Sequence, residues 1–502
     1  MHLYELNGFY YIKDPIKDFE WLTESERNPY FMLNNTTRNK FIQDILPLIK
    51  SNQCTYSTEA LHKIKNFVQA PERPCANQYT IVEPDPINKP LMPHQIEAVT
   101  RMLKYPKYGF FLGTGTGKTL IAISFLMTLN LKHALIVTTK TVIGQYQQEL
   151  DKYIPGNKHV VINYEQAGKY TSETFDAIIL DESHKAKSKS SQINDTLKQL
   201  TKKCSNVYLF TGSPQDKLRH DIFAQLYLLY TDFMPGKTKF LNRYFYLNDY
   251  YQPTKENPQF SNELTEMIHS ITWGKKTEEV VDLSNCPMVE HEIICDQPHP
   301  LYNTLIKDKV YEFPYGASVV ADTPANLRTK LREICSGFVK IKQGTRTGIQ
   351  PLTNTKNEPV QNCLSKLPQA LIYTEFKWDN TNVAKICKNL NATYAIIDGS
   401  IKEKDRSRFV TQFKNGELRF LIVQNQSGNA GLDLPCMNNI VWYTLPDKYI
   451  NFSQGNGRIR RKGQTKECNY YYVMCKNSIE LDILKSLKRK KDYTNRVFKI
   501  YS

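Results

Sequence analysis

The stretch YGFFLGTGTGKTLIAISFLMTLN, residues 108–130, joins an apolar strand to a helix through a glycine-rich loop. Glycines let the backbone turn tightly and direct its N–H groups toward an anion. The lysine can reach phosphate oxygens, the threonine after it can offer a hydroxyl to Mg²⁺, and the helix N-terminus adds its dipole. Leu112 stands where the general pattern has its first glycine. The sequence predicts a phosphate-binding loop made of Gly113, Thr114, Gly115, Thr116, Gly117, Lys118 and Thr119.

Apolar runs of strand length alternate with helical patterns to about residue 215, and the alternation resumes after about residue 360. FDAIILD (175–181) and NVYLFTG (206–212) follow the phosphate-binding loop, and QALIYTEF (369–376) and RFLIVQN (419–425) repeat the pattern further on. Such alternation predicts parallel sheets covered by helices on both faces, and therefore an α/β fold. Between the two alternating regions, at about 216–360, the patterns are mostly helical.

Two neighbouring carboxylates, Asp181 and Glu182, end one of the predicted strands in the sequence DESHKAK (181–187). Like charges side by side at the edge of an apolar core repel each other and are costly to desolvate, so a cation is expected beside them. With a phosphate loop upstream, that cation is a nucleotide-bound Mg²⁺. Asp181 is predicted to hold the ion and Glu182 to polarise the attacking water.

The composition is that of a globular protein. The chain has 502 residues, of which 40% are hydrophobic and 23% charged, and a net charge of +16 that fits a polyanionic partner, nucleic acid first. Its 11 cysteines contain no CxxC pair, so neither a disulfide framework nor a zinc site is predicted. The first residues lack a signal-peptide pattern, and no apolar run approaches the roughly 20 residues that span a bilayer. We expect a soluble intracellular protein with no membrane partner.

At this point the motifs resemble those of superfamily 2 helicase-type ATPases, specifically the Snf2 family in a compact form similar to its annealing-helicase branch. LMPHQIEAV (91–99) resembles the entry motif, where Gln95 would contact adenine, and GTGTGKT resembles motif I, whose first glycine the Snf2 family does not keep. DESHKAKSKSS resembles motif II, with Ser183 as in the annealing-helicase branch. LFTGSP (209–214) resembles motif III, which couples the ATP site to DNA. The implied coupling residues are His184, Thr211, Gly212 and Ser213.

The resemblance continues into the C-terminal region. QGNGRIRRKGQT (454–465) matches motif VI at Snf2 spacing through Gln454, Gly457, Arg458, Arg461, Gly463 and Gln464, and Arg406 matches another fixed arginine. A guanidinium is planar, permanently charged and suited to phosphate. Arg458 and Arg461 are three residues apart and would share one face of a helix. They are predicted to complete the ATP site when the cleft closes.

This resemblance implies two RecA-like parallel-sheet domains in tandem, with a helical insert and a small N-terminal domain. We expect an accessory domain at residues 1–85 and a first RecA-like ATP-binding domain at 86–285, with a helical insertion at about 216–275. A helical insert and linker would occupy 286–360, and the second RecA-like domain 361–502.

Contacts with DNA are predicted from the family's motifs Ia, Ib, IV and V, which face the phosphate backbone. In this sequence LIVTTKTVIGQYQQEL (135–150) and SGNAGLDL (427–434) resemble motifs Ia and V. Such contacts are polar, independent of base sequence and sensitive to salt. The candidates are Lys140, Thr141, Gln145, Ser427 and Gly428.

Three functions remain open from the sequence. The first is a DNA-dependent ATPase that translocates on double-stranded DNA and remodels DNA or protein–DNA complexes, using ATP and Mg²⁺. The second is a strand-separating or branch-migrating helicase on forks or junctions, for which residues 1–85 would recognise branched DNA. The third is a DNA-binding scaffold that does not hydrolyse ATP. A restriction-type motor would need a nuclease partner subunit, and other protein partners are compatible with each function.

Overall fold

The computed structural model describes residues 2–6, 9–13, 30–31, 44–51, 54–56, 79–187, 191–215, 218–230, 236–425, 434 and 436–499. The chain divides into two compact units, Met1–Val280 with Arg496–Ser502, and Val281–Asn495. Its described N-terminal part forms one small sheet of order β3-β2-β1-β4. The elements are β1 (His2–Leu6), β2 (Phe9–Lys13), β3 (Tyr30–Phe31), α1 (Leu46–Lys50) and β4 (Thr55–Tyr56).

The first unit is built around a parallel sheet of order β12-β5-β9-β8-β6-β7. The strands of the whole unit, which include β10 and β11 outside this sheet, are β5 (Lys107–Leu112), β6 (Ala134–Thr138), β7 (Val160–Asn163), β8 (Ala177–Asp181), β9 (Val207–Thr211), β10 (Phe245–Leu247), β11 (Pro253–Glu256) and β12 (Thr272–Lys275). Its helices are α2 (Pro93–Lys104), α3 (Lys118–Thr128), α4 (Ile143–Tyr153), α5 (Ser191–Lys203), α6 (Phe223–Leu229), α7 (Lys237–Tyr244), α8 (Ser261–Ile271) and α9 (Thr277–Val280).

Both faces of this sheet are buried, which explains why its strands are continuous apolar runs. In β8, Ala177 and Ile179 pack into the core under α2, α3 and α4. Ile178 and Leu180 point the other way, into the core under α5 and α6. Successive side chains of a strand alternate between faces, so the sheet holds two apolar layers together.

The predicted helical insertion at about 216–275 contains the helices α6, α7 and α8. It also contains an antiparallel hairpin, β10–β11, which the sequence did not predict. These elements share an apolar core that includes Phe240, Tyr244 and Leu264.

The second unit has its own parallel sheet, of order β13-β22-β21-β18-β20-β19. Its strands are β13 (Met288–Cys295), β14 (Val310–Glu312), β15 (Ser318–Val320), β16 (Phe338–Gln343), β17 (Arg346–Pro351), β18 (Ala370–Thr374), β19 (Tyr394–Ile397), β20 (Phe420–Gln424), β21 (Asn439–Trp442) and β22 (Cys468–Cys475). Its helices are α10 (Leu301–Asp308), α11 (Pro324–Cys335), α12 (Asn357–Lys366), α13 (Lys377–Asn389), α14 (Glu403–Lys414), α15 (Tyr449–Asn456) and α16 (Ile479–Lys499).

The two parallel sheets confirm the predicted α/β fold with two RecA-like domains. Residues 286–360 differ from the predicted helical insert, because this region contains strands as well as helices. β13 pairs along its whole length with β22, and β14 to β17 form a separate antiparallel sheet. The partner of β13 lies about 180 residues later in the sequence, at Cys468–Cys475, which local periodicity cannot reveal. Among the described residues, no helix is both long and apolar enough to span a bilayer.

Candidate nucleotide site

The phosphate loop lies between β5 and α3, as its sequence predicts. Gly115 and Gly117 have positive φ angles of 79° and 83°, a conformation that favours glycine. Gln95, at the start of α2, packs directly against the loop: its Nε2 donates to the Thr116 carbonyl at 2.9 Å. A Cβ atom on Gly117 would lie 2.0 Å from that Nε2. The loop can therefore keep its shape only with glycine at this position.

Lys118 is the first residue of α3, and its side chain lies against the loop. Its Nζ donates to the carbonyls of Leu112 and Gly113 at 3.2 and 3.3 Å. The Thr116 hydroxyl also donates to the Gly113 carbonyl, at 2.9 Å. A charged ammonium group is thus held at the mouth of a loop suited to anions.

The acidic pair ends β8, next to β6 in the sheet. The Thr138 hydroxyl donates to Asp181 Oδ2 at 3.0 Å, whereas Oδ1 is buried without a hydrogen-bond partner among the described residues. Burial, and next the carboxylate of Glu182, raise the pKa of Asp181 to about 6, and the Lys118 cation opposes them. A buried carboxylate with a spare oxygen and a raised pKa fits a site for a cation. Thr119, on α3, could supply a second oxygen ligand.

Glu182 has a φ angle of 51°, which is unusual for a residue other than glycine. Its carboxylate lies 3.2 Å from Nδ1 of His184, and the same Nδ1 lies 3.0 Å from the Thr211 hydroxyl. Thr211 Oγ1 in turn accepts the backbone N–H of Ser213 at 3.1 Å. The imidazole of His184 therefore lies next to both a predicted motif II residue and a predicted motif III residue.

Gly212, which follows Thr211, lies close to the phosphate loop. A Cβ atom on Gly212 would lie 3.2 Å from the Leu112 carbonyl, so the backbones of the two segments approach closely. Ser183 points elsewhere: its hydroxyl donates to the Gln225 amide oxygen on α6 at 2.7 Å.

Several neighbours of the site were not predicted from the sequence. His94 Nε2 lies 2.8 Å from the Thr116 carbonyl, which it shares with Gln95. The Thr277 hydroxyl donates to the Thr114 carbonyl at 2.8 Å, and the Gly113 N–H donates to the Lys275 carbonyl at 3.0 Å. His94 could have been suspected because it adjoins Gln95. Thr277 gave no signal, because it is 163 residues away from Thr114 in the sequence.

Tyr146 is a further residue that sequence reasoning missed. It is fully buried on α4. Burial, followed by the negative charge of Asp181, raises the pKa of its phenol well above the ordinary value. Tyr164 belongs to the core on the opposite face of the sheet, and its hydroxyl donates to the Asp181 carbonyl at 2.7 Å. The end of β8 therefore has a buried tyrosine on each face of the sheet.

In the second unit, Gln454 lies on α15, but Arg458 and Arg461 do not lie on a helix. The expected shared helical face is wrong, since α15 ends at Asn456 and residues 457–463 form turns. Arg461 Nε donates to the Gly457 carbonyl at 2.9 Å, and a local turn rather than helical spacing positions it.

The arginines of the second unit nevertheless share a neighbour, Tyr373 at the end of β18. Burial raises the pKa of Tyr373 to about 12, and the cations of Arg458, Arg461 and Arg406 oppose this rise. Arg458 and Arg406 are both buried. Three cations from two distant segments of the sequence thus lie near Tyr373, at one end of the second sheet.

The residues predicted to contact DNA lie in two separate regions of the chain. Lys140 and Thr141 lie in a short 3₁₀ helix, Lys140–Val142, and Gln145 follows on α4. Lys140 and Gln145 are exposed, and Thr141 is half-buried. Ser427 and Gly428 lie outside the described residues.

Three protein-family models match the chain. They are the SNF2-related domain at residues 159–337, the helicase conserved C-terminal domain at 355–463, and the type III restriction enzyme res subunit at 88–173. The SNF2-related domain begins within the first unit and ends in the second. The helicase C-terminal match covers β18 to β21 and most of motif VI.

Similar proteins include the ISWI chromatin-remodeling complex ATPase ISW1 of Saccharomyces cerevisiae, 21% identical over 80% of this chain and 40% of that protein. The DNA annealing helicase and endonuclease ZRANB3 of Bos taurus is 22% identical over 86% of this chain and 43% of its own length. The chain therefore spans about two fifths of these relatives. The Sulfolobus solfataricus SWI2/SNF2 ATPase core in complex with dsDNA aligns over 83% of this chain and 95% of its own, at 18% identity and a TM-score of 0.38.

Residues 159–337 are therefore similar to the SNF2-related domain, and residues 355–463 are similar to the helicase conserved C-terminal domain. The chain as a whole is similar to helicase-type ATPases of superfamily 2, and to Snf2 proteins among them.

Proposed function

We propose that this protein is a DNA-dependent ATPase that translocates on double-stranded DNA and remodels DNA or protein–DNA complexes. One observation carries the proposal: Nδ1 of His184 lies 3.2 Å from the carboxylate of Glu182 and 3.0 Å from the hydroxyl of Thr211 in motif III. A residue that contacts both the hydrolytic carboxylate and the coupling segment can transmit the state of the nucleotide to the DNA-binding surface.

In the proposed ATP site, the glycine-rich loop binds the phosphates and Lys118 contacts the β- and γ-phosphates. Gln95 contacts adenine, Glu182 orients the attacking water, and Thr119 and Asp181 hold Mg²⁺. Bound Mg²⁺ would supply charge neutralisation on the phosphate oxygens. Arg458 and Arg461, with Gln454 nearby on α15, are proposed to stabilise the charge that develops on the γ-phosphoryl group.

DNA is the proposed polyanionic partner. Two relatives carry names that involve chromatin or DNA, and the net charge of +16 favours phosphate binding. Lys140, Thr141 and Gln145 are proposed to contact the backbone, and Ser427 and Gly428 to do so from motif V. Protein partners are proposed only in the general sense that a remodeler acts on DNA-bound proteins.

A second function is a strand-separating or branch-migrating helicase that acts on forks or junctions in replication, recombination or repair. The relative named as a DNA annealing helicase favours it, as does the serine at position 183. Branched DNA and a recognition role for residues 1–85 belong to this alternative.

The test is ATP turnover measured without nucleic acid and with single-stranded DNA, duplex, a fork, a four-way junction and RNA. Strong stimulation by plain duplex is the expected result. Lys118→Ala serves as the control and should lower turnover by at least about 100-fold, because it removes a positioned cation from the phosphates.

The pattern of stimulation separates the candidate functions. Stimulation by forks or junctions alone would favour the branch-migrating helicase. DNA binding without turnover on any substrate would contradict both motor functions and leave the non-hydrolysing scaffold.

A further inference from the structure

The tip of the β10–β11 hairpin exposes aromatic rings. Tyr250 and Tyr251 are 82% and 76% exposed, and Tyr246 on β10 is 52% exposed. Large aromatic side chains usually bury their rings, and a cluster of exposed ones marks a surface that binds something. The hairpin lies in the insertion of the first unit and is not part of the nucleotide site.

The tip has an ordered backbone. Asn248 Oδ1 accepts the N–H groups of Tyr250 and Gln252 at 3.1 and 2.9 Å, and the Tyr251 N–H donates to the Asn248 carbonyl at 2.9 Å. Tyr251 has a φ angle of 55°, which is a strained conformation for so bulky a residue. The turn therefore holds two neighbouring rings outward instead of letting them fold back.

The base of the hairpin is anchored in the core of the insertion. Phe245 is 3% exposed and packs with Phe240. Its strand partner Glu256, which is partly buried, forms an ion pair with the buried Arg219. Asn257, just after β11, donates its N–H to the Tyr244 carbonyl at 2.8 Å. Because the base of the hairpin is anchored, the hairpin should keep its position when a ligand binds to the rings at its tip.

The surrounding charges indicate what the rings would contact. Tyr246 lies directly across from Lys255 in the hairpin, and both are exposed. Lys237 and Lys239 are exposed on α7, which leads into β10. Asp249 adds one negative charge beside the two tyrosines, so the tip suits the flat face of a base more than a phosphate group. Aromatic rings with cations behind them are the usual surface for unpaired nucleic acid.

We propose that Tyr250 and Tyr251 form a pin that stacks on unpaired DNA bases at a junction between single and double strands. This inference rests on the proposed DNA-dependent function and specifies its substrate. In duplex DNA the faces of the bases are covered by their neighbours, so the pin would act only where strands separate or rejoin. The pin would therefore add a preference for forked or branched DNA to the proposed action on duplex.

The test compares two double variants with the full-length protein. Tyr250→Ala with Tyr251→Ala removes both rings, and Tyr250→Phe with Tyr251→Phe keeps them. Tyr315→Ala, which removes a 48% exposed tyrosine from the second unit, is the matched control. Affinity for a fork and for plain duplex is measured by fluorescence anisotropy. A fork with 5-iododeoxyuridine at its first unpaired position is irradiated, and the cross-linked peptide is identified by mass spectrometry.

The alanine pair should weaken fork binding by about 10- to 100-fold, the range expected for one or two base stacks, and leave duplex binding unchanged. The phenylalanine pair and Tyr315→Ala should bind the fork as the wild type does, and the cross-link should map to residues 245–256. Equal fork affinity for the wild type and the alanine pair would overturn the pin. The exposed rings would then be better explained as a contact surface for a protein.

ATP turnover on plain duplex by the same proteins separates this inference from the proposed function. If the wild type hydrolyses ATP on duplex but the alanine pair binds the fork normally, only the pin is wrong. If no DNA stimulates hydrolysis while fork binding still depends on the two rings, the proposed motor function is wrong and the pin stands.

Discussion

Single residues of the nucleotide site depend on backbone shape as much as on side-chain chemistry. Gly117 combines a φ angle of 83° with the close approach of Gln95 Nε2, 2.0 Å from where a Cβ atom would lie. Gly117→Ala should therefore destabilise the first unit by at least about 2 kcal/mol, because it adds both backbone strain and a clash. Thermal unfolding and binding of a fluorescent ADP analogue would measure the two effects.

Gly144→Ala is the matched control for that substitution. Gly144 lies in α4, and a Cβ atom there would meet nothing within 4 Å. An alanine inside a helix should stabilise it by up to about 1 kcal/mol. If Gly117→Ala bound nucleotide and unfolded like the control, the loop would not need its left-handed turn.

His269 on α8 gives the first unit a pH dependence. Burial, and then the cation of Arg219, lower the pKa of His269 to about 4, from an ordinary value of 6.5. The folded state favours neutral histidine, so its contribution to stability is complete above pH 6.5 and is lost as the pH falls toward 4. Because the side chain is only half-buried, solvent screening should limit the loss to about 1–2 kcal/mol.

The measurement is urea unfolding of the wild type and His269→Gln at pH 7 and pH 4.5. The glutamine variant cannot gain this charge, so it should lose less stability on acidification. The raised pKa of Asp181 acts in the opposite direction, but it is common to both proteins and cancels in the comparison. Identical losses in the two proteins would show that His269 titrates normally.

At the scale of elements, a buried ion pair joins four parts of the second unit: α12, α16, the end of β21 and β22. Lys356, at the start of α12, is fully buried, and its Nζ lies 2.5 Å from Oε1 of Glu480 in the first turn of α16. Lys356 also donates to the Tyr443 carbonyl after β21, at 3.0 Å, and Glu480 Oε2 accepts the Cys475 N–H of β22 at 3.0 Å. Burial, the largest single effect, would lower the pKa of Lys356. Glu480 first, and then Cys475, Cys335 and Tyr443, together outweigh burial and raise that pKa.

Glu480→Gln should destabilise the second unit by about 3–5 kcal/mol, because it leaves a buried ammonium without its counter-charge. Glu292→Gln is the control in the same unit. Glu292 pairs with Lys488 at 3.2 Å, and both side chains are exposed, so its loss should cost less than about 1 kcal/mol. Urea unfolding followed by circular dichroism would compare them. Similar costs would mean that the Lys356 pair is solvated.

At the scale of the whole molecule, the net charge of +16 should make DNA binding strongly dependent on salt. With roughly 4–6 phosphates contacted, raising the salt from about 50 to about 200 mM should weaken binding by about 100- to 1000-fold. Lys140→Ala should lower the salt slope by about one contact, while Lys132→Ala, a second exposed lysine of the first unit, should not. Anisotropy titrations at several salt concentrations would measure both slopes. An unchanged slope for Lys140→Ala would mean that Lys140 does not contact the DNA backbone.

Much of the nucleotide site could be predicted because each of its motifs is a short run of neighbouring residues. The loop at 113–119 and the pair Asp181 and Glu182 each follow a strand directly, so local pattern locates them. The grouping of Arg406, Arg458 and Arg461 around Tyr373 could not be predicted, because it depends on three separate segments folding to one end of a sheet.

The sequence by itself determined the α/β alternation, the phosphate loop and the acidic pair that follows β8, because strand and helix periods and loop chemistry act over a few residues. Only the tertiary structure decided that Thr277 contacts the loop from 163 residues away, that β13 pairs with β22, and that Tyr250 and Tyr251 face solvent. These features arise from packing between distant segments. A tyrosine in a core and a tyrosine at the tip of a hairpin look the same in the sequence.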